Sequence, residues 1–356
     1  MKNLINSKIP KDIYRPDWLI DEKRDSTKLW LDKNENTDKN LSKFLKNIFI
    51  HLKPKIINSY PSLAKIYKKL SNFLNIKPKQ ILLTHGSDGG IKSVFETFIN
   101  PNDIVIRTEP TFAMYEIYIK IYKAREILIK YDKKLSLDIN YLIKILRSKK
   151  PKLLCLPNPD SPTGQIVEAK LIKRILDVSK KTKTFVLIDE AYFEYYNKTN
   201  IYKINKYPNL IVARTTGKAY GLAGARVGYL IANENIIKKL HQTKPMYEIN
   251  YIGAEIFYQL LNNKNYKFIT KIINEHLRGK KYFINELQKL KYESLKTYSN
   301  FIIVNFRENT LRILSELKKI CYIRYFKEGA LKGKVRFSLT DINNFKRIIK
   351  IIKKVS

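Results

Sequence analysis

Cysteine is almost missing from this sequence: Cys155 and Cys321 are the only two among 356 residues, far apart and in no metal-type spacing. No metal site is expected from them, and both thiols are expected to be reduced, as in a cytoplasm. No apolar stretch reaches about 18 residues, the length a membrane-spanning helix needs, so no membrane partner is expected. The stretch from Met1 to Pro10 carries a lysine with no apolar region behind it, which argues against a secretory signal. Internal repeats, Gly/Ser linkers and low-complexity tracts are all lacking, and glycine is sparse at 12 residues. Acidic residues are also few, 32 against 69 Lys and Arg, for a formal net charge of +37. An excess of that size can signal nucleic acid or an anionic surface. Here the lysines are spread along the whole chain beside heavy Ile and Asn use, a pattern of AT-rich codon usage. The charge is therefore read as composition, and no nucleic-acid partner is expected.

What is present is a regular alternation. Between about residues 81 and 232, short apolar runs at 81–84, 104–107, 126–129, 153–156, 185–188, 210–213 and 227–231 are separated mostly by amphipathic stretches. In 168–180, for instance, apolar residues recur at three- and four-residue spacing. Seven strands alternating with helices predict an α/β unit with a mainly parallel sheet. A loop rich in small residues, not a helix, separates the last two runs. After Pro245 the pattern changes to long helices over 251–288, a strand at 301–306, a helix at 310–319, a strand pair near 322–325 and 334–338, and a final helix. That predicts a smaller α+β domain over 245–356, with a large domain over 52–244. Residues 1–51 read as an irregular arm that packs against the small domain or a second subunit.

Four segments carry residues suited to chemistry. The segment from Arg214 to Gly228 sets Lys218 in a Gly- and Ala-rich loop directly after a strand, with Arg226 eight residues on. Small residues let a planar ligand approach the backbone, Lys218 can form a Schiff base, and Arg226 can grip a phosphate. The plainer alternative is a flexible surface loop with two ordinary cations. The apolar run 184–188 ends in Asp189 and Glu190, with Tyr192 three residues beyond Asp189. A carboxylate at the carboxyl edge of a parallel sheet needs a cationic partner, which a protonated pyridine would supply. Helix capping by Asp189, or magnesium at the Asp-Glu pair, are the alternatives; no G-x-x-x-x-G-K-[ST] loop accompanies the second. The run from Leu156 to Gly164 enters a Pro-rich turn that presents Ser161 or Asn158, unless the turn is only structural. Finally, Gly86, Ser87 and Asp88 close a strand and open a helix, which makes a phosphate cradle or a simple N-cap.

In this order the motifs resemble the fold-type-I pyridoxal-phosphate (PLP) enzymes, and within them the histidinol-phosphate aminotransferase branch. The likeness rests on Asn34-Glu35-Asn36, Ser59-Tyr60-Pro61, Gly86-Ser87-Asp88, Glu109-Pro110-Thr111-Phe112, Pro162-Thr163-Gly164, Asp189-Glu190-Ala191-Tyr192, Lys218, Leu222-Ala223-Gly224, Arg226 and Arg336. It implies the PLP-dependent transferase fold of type I, with a large domain built on a mainly parallel seven-stranded sheet plus a smaller α+β domain. It implies PLP carried on Lys218, which also moves the proton; Asp189 on the pyridine nitrogen; Tyr192 on the phenolate oxygen; and Phe112 stacked on the ring. Ser87, Asp88, Thr215 and Arg226 would bind the phosphate, with Tyr60 reaching it from the other subunit of a homodimer, and Gly86 and Ser161 would also bind the cofactor. Arg336 and Asn34 would bind substrate: an amine donor such as L-histidinol phosphate and a 2-oxo acid acceptor such as 2-oxoglutarate. A PLP decarboxylase similar to the threonine-phosphate decarboxylases is the alternative on the same scaffold. The sequence departs from the family where Ser161 replaces the usual Asn, Gly217 precedes the lysine in place of Ser, and Thr37 follows the Asn-Glu-Asn motif in place of Pro.

Overall fold

In the computed structural model, which describes residues 24–355, thirteen strands form three sheets. They are β1 (Leu29–Trp30), β2 (Ile81–His85), β3 (Ile104–Glu109), β4 (Arg125–Lys130), β5 (Leu153–Pro157), β6 (Phe185–Asp189), β7 (Leu210–Thr215), β8 (Val227–Ala232), β9 (Glu293–Leu295), β10 (Phe301–Asn305), β11 (Cys321–Tyr322), β12 (Arg324–Tyr325) and β13 (Val335–Ser338). The seven apolar runs of the sequence are β2 to β8, and they form one sheet in the order β2-β8-β7-β6-β5-β3-β4. All pairs are parallel except those of β8, which runs antiparallel to both β7 and β2. The small-residue loop between β7 and β8 allows this: without a crossover helix, the chain can only turn back beside the strand it has left. Strands β5, β7 and β8 are buried along their whole length, as expected of strands covered on both faces. Their cover includes the helix Ala169–Lys181, which turns Ile172, Ile175, Leu176 and Ser179 inward.

A four-stranded antiparallel sheet, β12-β13-β10-β9, lies in the C-terminal part, where the helices Asn263–Lys289 and Ile342–Val355 pack together. The long helices expected over 251–288 are Tyr251–Leu260 and Asn263–Lys289, and the Asn262 side chain caps the second by accepting from the Asn265 backbone N–H. One expectation is corrected here. The described part of the arm is not irregular. Asp38 accepts from the backbone N–H groups of Asn40 and Leu41 and so starts the helix Lys39–Ile50. Upstream, β1 pairs with β11, the Leu31 carbonyl accepts from Ser338 N–H, and the Asn34 N–H donates to Ser338 Oγ. The arm is thus laced to the end of β13, which delivers Asn34 to the edge of the large sheet. The stretch from Met1 to Pro10 and the rest of residues 1–23 lie outside the described residues.

Candidate active site

The strand order changes direction between β3 and β5, since the chain leaves β3 outward to β4 and returns to place β5 on the other side. Crevices at the carboxyl edge of such a sheet are where these folds bind ligands. A cavity of about 400 Å³ opens there. Phe112 follows β3, Ser161 follows β5, Asp189 ends β6 with Tyr192 just beyond, and Thr215 ends β7 with Lys218 in the loop after it. Ser87 and Asp88 come from the first turn of the helix Gly86–Phe98, Arg226 from the loop just before β8, Asn34 from the arm and Arg336 from β13. Eleven of the residues singled out in the sequence therefore line one space. Gly86 lies directly behind it and Tyr60 outside it, exposed and stacked on Tyr247 with ring centroids 4.2 Å apart.

The cradle around Ser87 depends on bare backbone. A Cβ on Gly228 would lie 2.3 Å from the Gly86 carbonyl carbon and 2.5 Å from Ser87 N, so only glycine lets β8 press against this turn. Gly86 has φ +72°, and a Cβ there would meet Arg226 Nη2 at 2.9 Å. Neither Ser87 nor Asp88 caps the helix: no side chain does, and the Asp88 carboxylate accepts from Tyr118 Oη at 2.8 Å. Thr215 Oγ1 accepts from Gly217 N–H at 3.1 Å, which leaves its own proton free to donate. The loop is no flexible surface segment, since Gly217, Ala219 and Tyr220 within it are buried.

Asp189 is 6 % exposed and its two oxygens accept from the Ala191 N–H at 3.0 Å and Tyr115 Oη at 3.2 Å. Among the described residues it has no ion pair, and burial pushes its carboxyl up to about 6. Asp189 does not cap the short helix Phe193–Tyr196. Glu190 points elsewhere, into a buried ion pair with Arg214 at 3.0 Å, so the two carboxylates do not act as a pair. Tyr192 Oη lies 2.9 Å from Asn34 Nδ2, which donates to it, and Lys218 Nζ donates to the Lys33 carbonyl at 3.1 Å. Arg336 sits between the rings of Phe301 and Phe326, donates one bond to the Asp32 carbonyl at 2.7 Å, and leaves Nε without a partner. Burial lowers its pKa from the ordinary arginine value.

The aminotransferase class I and II family model matches residues 26–352. The chain belongs to that family. It is 36 % identical over 317 residues to a histidinol-phosphate aminotransferase of Thermoanaerobacter sp. (strain X514), covering 87 % of this chain and 88 % of the relative. Among solved structures, the histidinol-phosphate aminotransferase of Sinorhizobium meliloti in complex with pyridoxal-5'-phosphate shares the fold with a TM-score of 0.80 at 18 % identity, over 93 % and 92 % of the two chains. An L-threonine-O-3-phosphate decarboxylase from Porphyromonas gingivalis also shares it, with a TM-score of 0.77 at 18 % identity over 92 % and 98 %. The aminotransferase depends on PLP, and its fold is type I of that cofactor's enzymes, as the motif order implied.

Several residues around the site hold positions that the sequence reading did not give them. Asn158 was a candidate to face the ligand, but its amide donates to and accepts from Val167 and so holds the Pro-rich turn shut, leaving Ser161 to face the cavity. Asn36 donates to the Ala219 carbonyl beside Lys218. Beneath Ser161, the buried Asp160 accepts from Thr108, Thr111 and Tyr131, and burial pushes its carboxyl up to about 7. Gly228 carried a signal in its spacing from Arg226; Asn36 was quoted in the motif without a role; Asp160 and Tyr115 carried none.

Proposed function

We propose that this aminotransferase anchors PLP covalently on Lys218 and moves an amino group from L-histidinol phosphate to a 2-oxo acid such as 2-oxoglutarate. The observation that carries the reading is a pair of charged side chains, the buried Asp189 and the half-buried Arg336, which have no counter-ion among the described residues and line the same cavity as the Lys218 amine. A ligand with a ring cation and a carboxylate would complete both. When bound, PLP supplies an aldehyde that captures the amine and a pyridine ring that draws electrons from its Cα.

The protein's own groups would divide the work. Asp189 keeps the ring nitrogen protonated. Tyr192 already accepts from Asn34, so its own proton is free for the ring oxygen. Phe112 packs on the ring face. Ser87, Thr215, Arg226 and the backbone N–H of Asp88 bind the phosphate in the cradle that Gly86 and Gly228 keep open. Once released, Lys218 carries the proton to and from the substrate carbon. Arg336 takes a substrate carboxylate; the exposed Lys33 adds a cation to the cavity lining, which suits a phosphorylated amine. Ile57, Tyr60, Met246 and Tyr247 are large apolar side chains left exposed, which supports a homodimer in which Tyr60 reaches the other subunit's phosphate site. A cytoplasmic setting agrees with two free, buried cysteines and with no described helix long and apolar enough to cross a membrane.

The test has two parts. Borohydride reduction of the PLP-loaded protein followed by peptide mapping should place the label on Lys218; a label on another lysine would overturn the assignment. Mixing the PLP form with candidate amines should bleach its visible absorbance fastest with L-histidinol phosphate. Carbon dioxide release without a 2-oxo acid would instead support the decarboxylase.

A further inference from the structure

Tyr115 is one of 24 tyrosines and carries no motif, yet it lies where two parts of the site meet. It is fully buried in the helix Met114–Ile121, one turn after Phe112. Its hydroxyl donates to Asp189 Oδ2 at 3.2 Å, and its ring meets Phe112 edge-on, with centroids 5.9 Å apart and planes at 90°. One rigid side chain therefore touches both the carboxylate proposed for the ring nitrogen and the aromatic proposed for the ring face. We infer that Tyr115 is a positioning residue that fixes the Asp189 carboxylate as an ionised acceptor and braces Phe112 against it. The inference rests on the PLP reading above.

The chemistry of the contact has one direction. Burial, and then the Asp189 charge, raise the Tyr115 pKa well above its ordinary value, so the hydroxyl keeps its proton and donates. The Ala191 N–H bonds the other oxygen, so each carboxylate oxygen has one donor. Asp88, from the helix Gly86–Phe98, pushes the Asp189 carboxyl upward and Lys218 pulls it down; Cys155 on β5 is buried and its thiol is held protonated. Burial is the largest influence and favours the acid form. Removing the Tyr115 donor leaves the Ala191 N–H as the one hydrogen bond opposing it, so the carboxyl should protonate at higher pH. A protonated Asp189 cannot pair with a ring cation.

The experiment is a titration of apoprotein with PLP from pH 5.5 to 8.5, with thermal midpoints recorded alongside. It compares the wild type, Tyr115→Phe, Asp189→Asn and the double variant. Tyr115→Phe keeps the ring and loses only the hydroxyl. It should weaken PLP binding about ten-fold at neutral pH, move the acid limit of binding to higher pH, and still be labelled on Lys218. In the Asp189→Asn background the same change should have little effect on affinity. Unchanged affinity and pH profile in Tyr115→Phe overturns the inference. So does an equal loss in both backgrounds with a matching fall in thermal midpoint, which is the mark of a purely structural role. A wild type that binds no PLP, or labels elsewhere, overturns the PLP reading and this inference with it, whereas a correctly labelled wild type with an indifferent Tyr115→Phe overturns only the latter.

Discussion

Asp189 and Glu190 are neighbours at the end of β6, yet their surroundings differ in kind. Glu190 enters a closed cluster: Arg214 at 3.0 Å, Thr199 Oγ1 at 2.7 Å, and both the backbone N–H and the side-chain amide of Asn200. Burial works against the Arg214 cation, but the Glu190 charge wins and holds its pKa above the ordinary value. Phe193 covers the guanidinium 3.6 Å from its ring centre. Asp189, one residue earlier, faces the cavity with two hydrogen bonds and no cation, and Arg336 across the space has no carboxylate among the described residues. Where a charge serves the fold, the chain supplies its partner. Where it serves a ligand, the partner is left out, and the protein bears the burial penalty until the ligand arrives.

The contrast predicts opposite behaviour on mutation. Arg214→Met should be the most damaging to the fold, because it strands Glu190 in the interior; breaking such a pair costs about 3–5 kcal/mol. Chemical denaturation should register that loss, and a variant as stable as the wild type would break the comparison. Arg336→Met should do the reverse. Replacing an unpaired, half-buried cation by an apolar chain should leave stability unchanged or improved, while kcat/KM for 2-oxoglutarate falls by the equivalent of about 2–5 kcal/mol. Steady-state kinetics with PLP still bound provides the check, and intact kcat/KM would mean that another cation binds the carboxylate.

A pH experiment separates the two centres further. The folded-state pKa of Asp189, about 6, is raised above the value of an unfolded aspartate. Its proton therefore favours the folded apoprotein below about pH 4, and that contribution is lost as pH climbs toward 6. Asp189→Asn removes the titration. The stability of the apo variant relative to the apo wild type should rise through this window by at most about 2–3 kcal/mol and then level off. Thermal melts from pH 4.5 to 7.5 measure it, and a difference that stays constant with pH would show that Asp189 carries no burial penalty.

The sequence exposed the sheet because each of its strands is an uninterrupted apolar run bounded by turns. It exposed the cavity-lining motifs because each follows directly on one of those runs, so Lys218, Asp189, Ser161 and Ser87 fall at one edge by topology alone. Arg336 was reachable only through the family resemblance, since nothing local on β13 marks it. The Lys39–Ile50 helix was hidden by its Asn- and Lys-rich start, and its cap lies one residue outside the helix at Asp38. Tyr115 was invisible for a different reason. Its contact with Asp189 spans 74 residues, and no spacing within one segment encodes a meeting between the helix after β3 and the end of β6.

The smallest expected effect tests whether the closed cluster is truly separate from the cavity. Thr199 Oγ1 donates to Glu190 Oε2 and accepts from Arg214 Nη2, both at 2.7 Å, and also accepts from the Ile201 N–H. Thr199→Val keeps the shape and removes these bonds, while the direct Glu190–Arg214 pair remains. A loss of about 1.5–3 kcal/mol in unfolding free energy is expected at most, the scale of a hydrogen bond to a charged group. PLP affinity and kcat/KM should not move, because Asp189 takes its donors from Ala191 and Tyr115 and none from this cluster. If PLP affinity fell with Thr199→Val, the adjoining backbone of β6 would be transmitting the disturbance from Glu190 to Asp189. The two carboxylates would then be one coupled centre, and their contrast one of geometry alone.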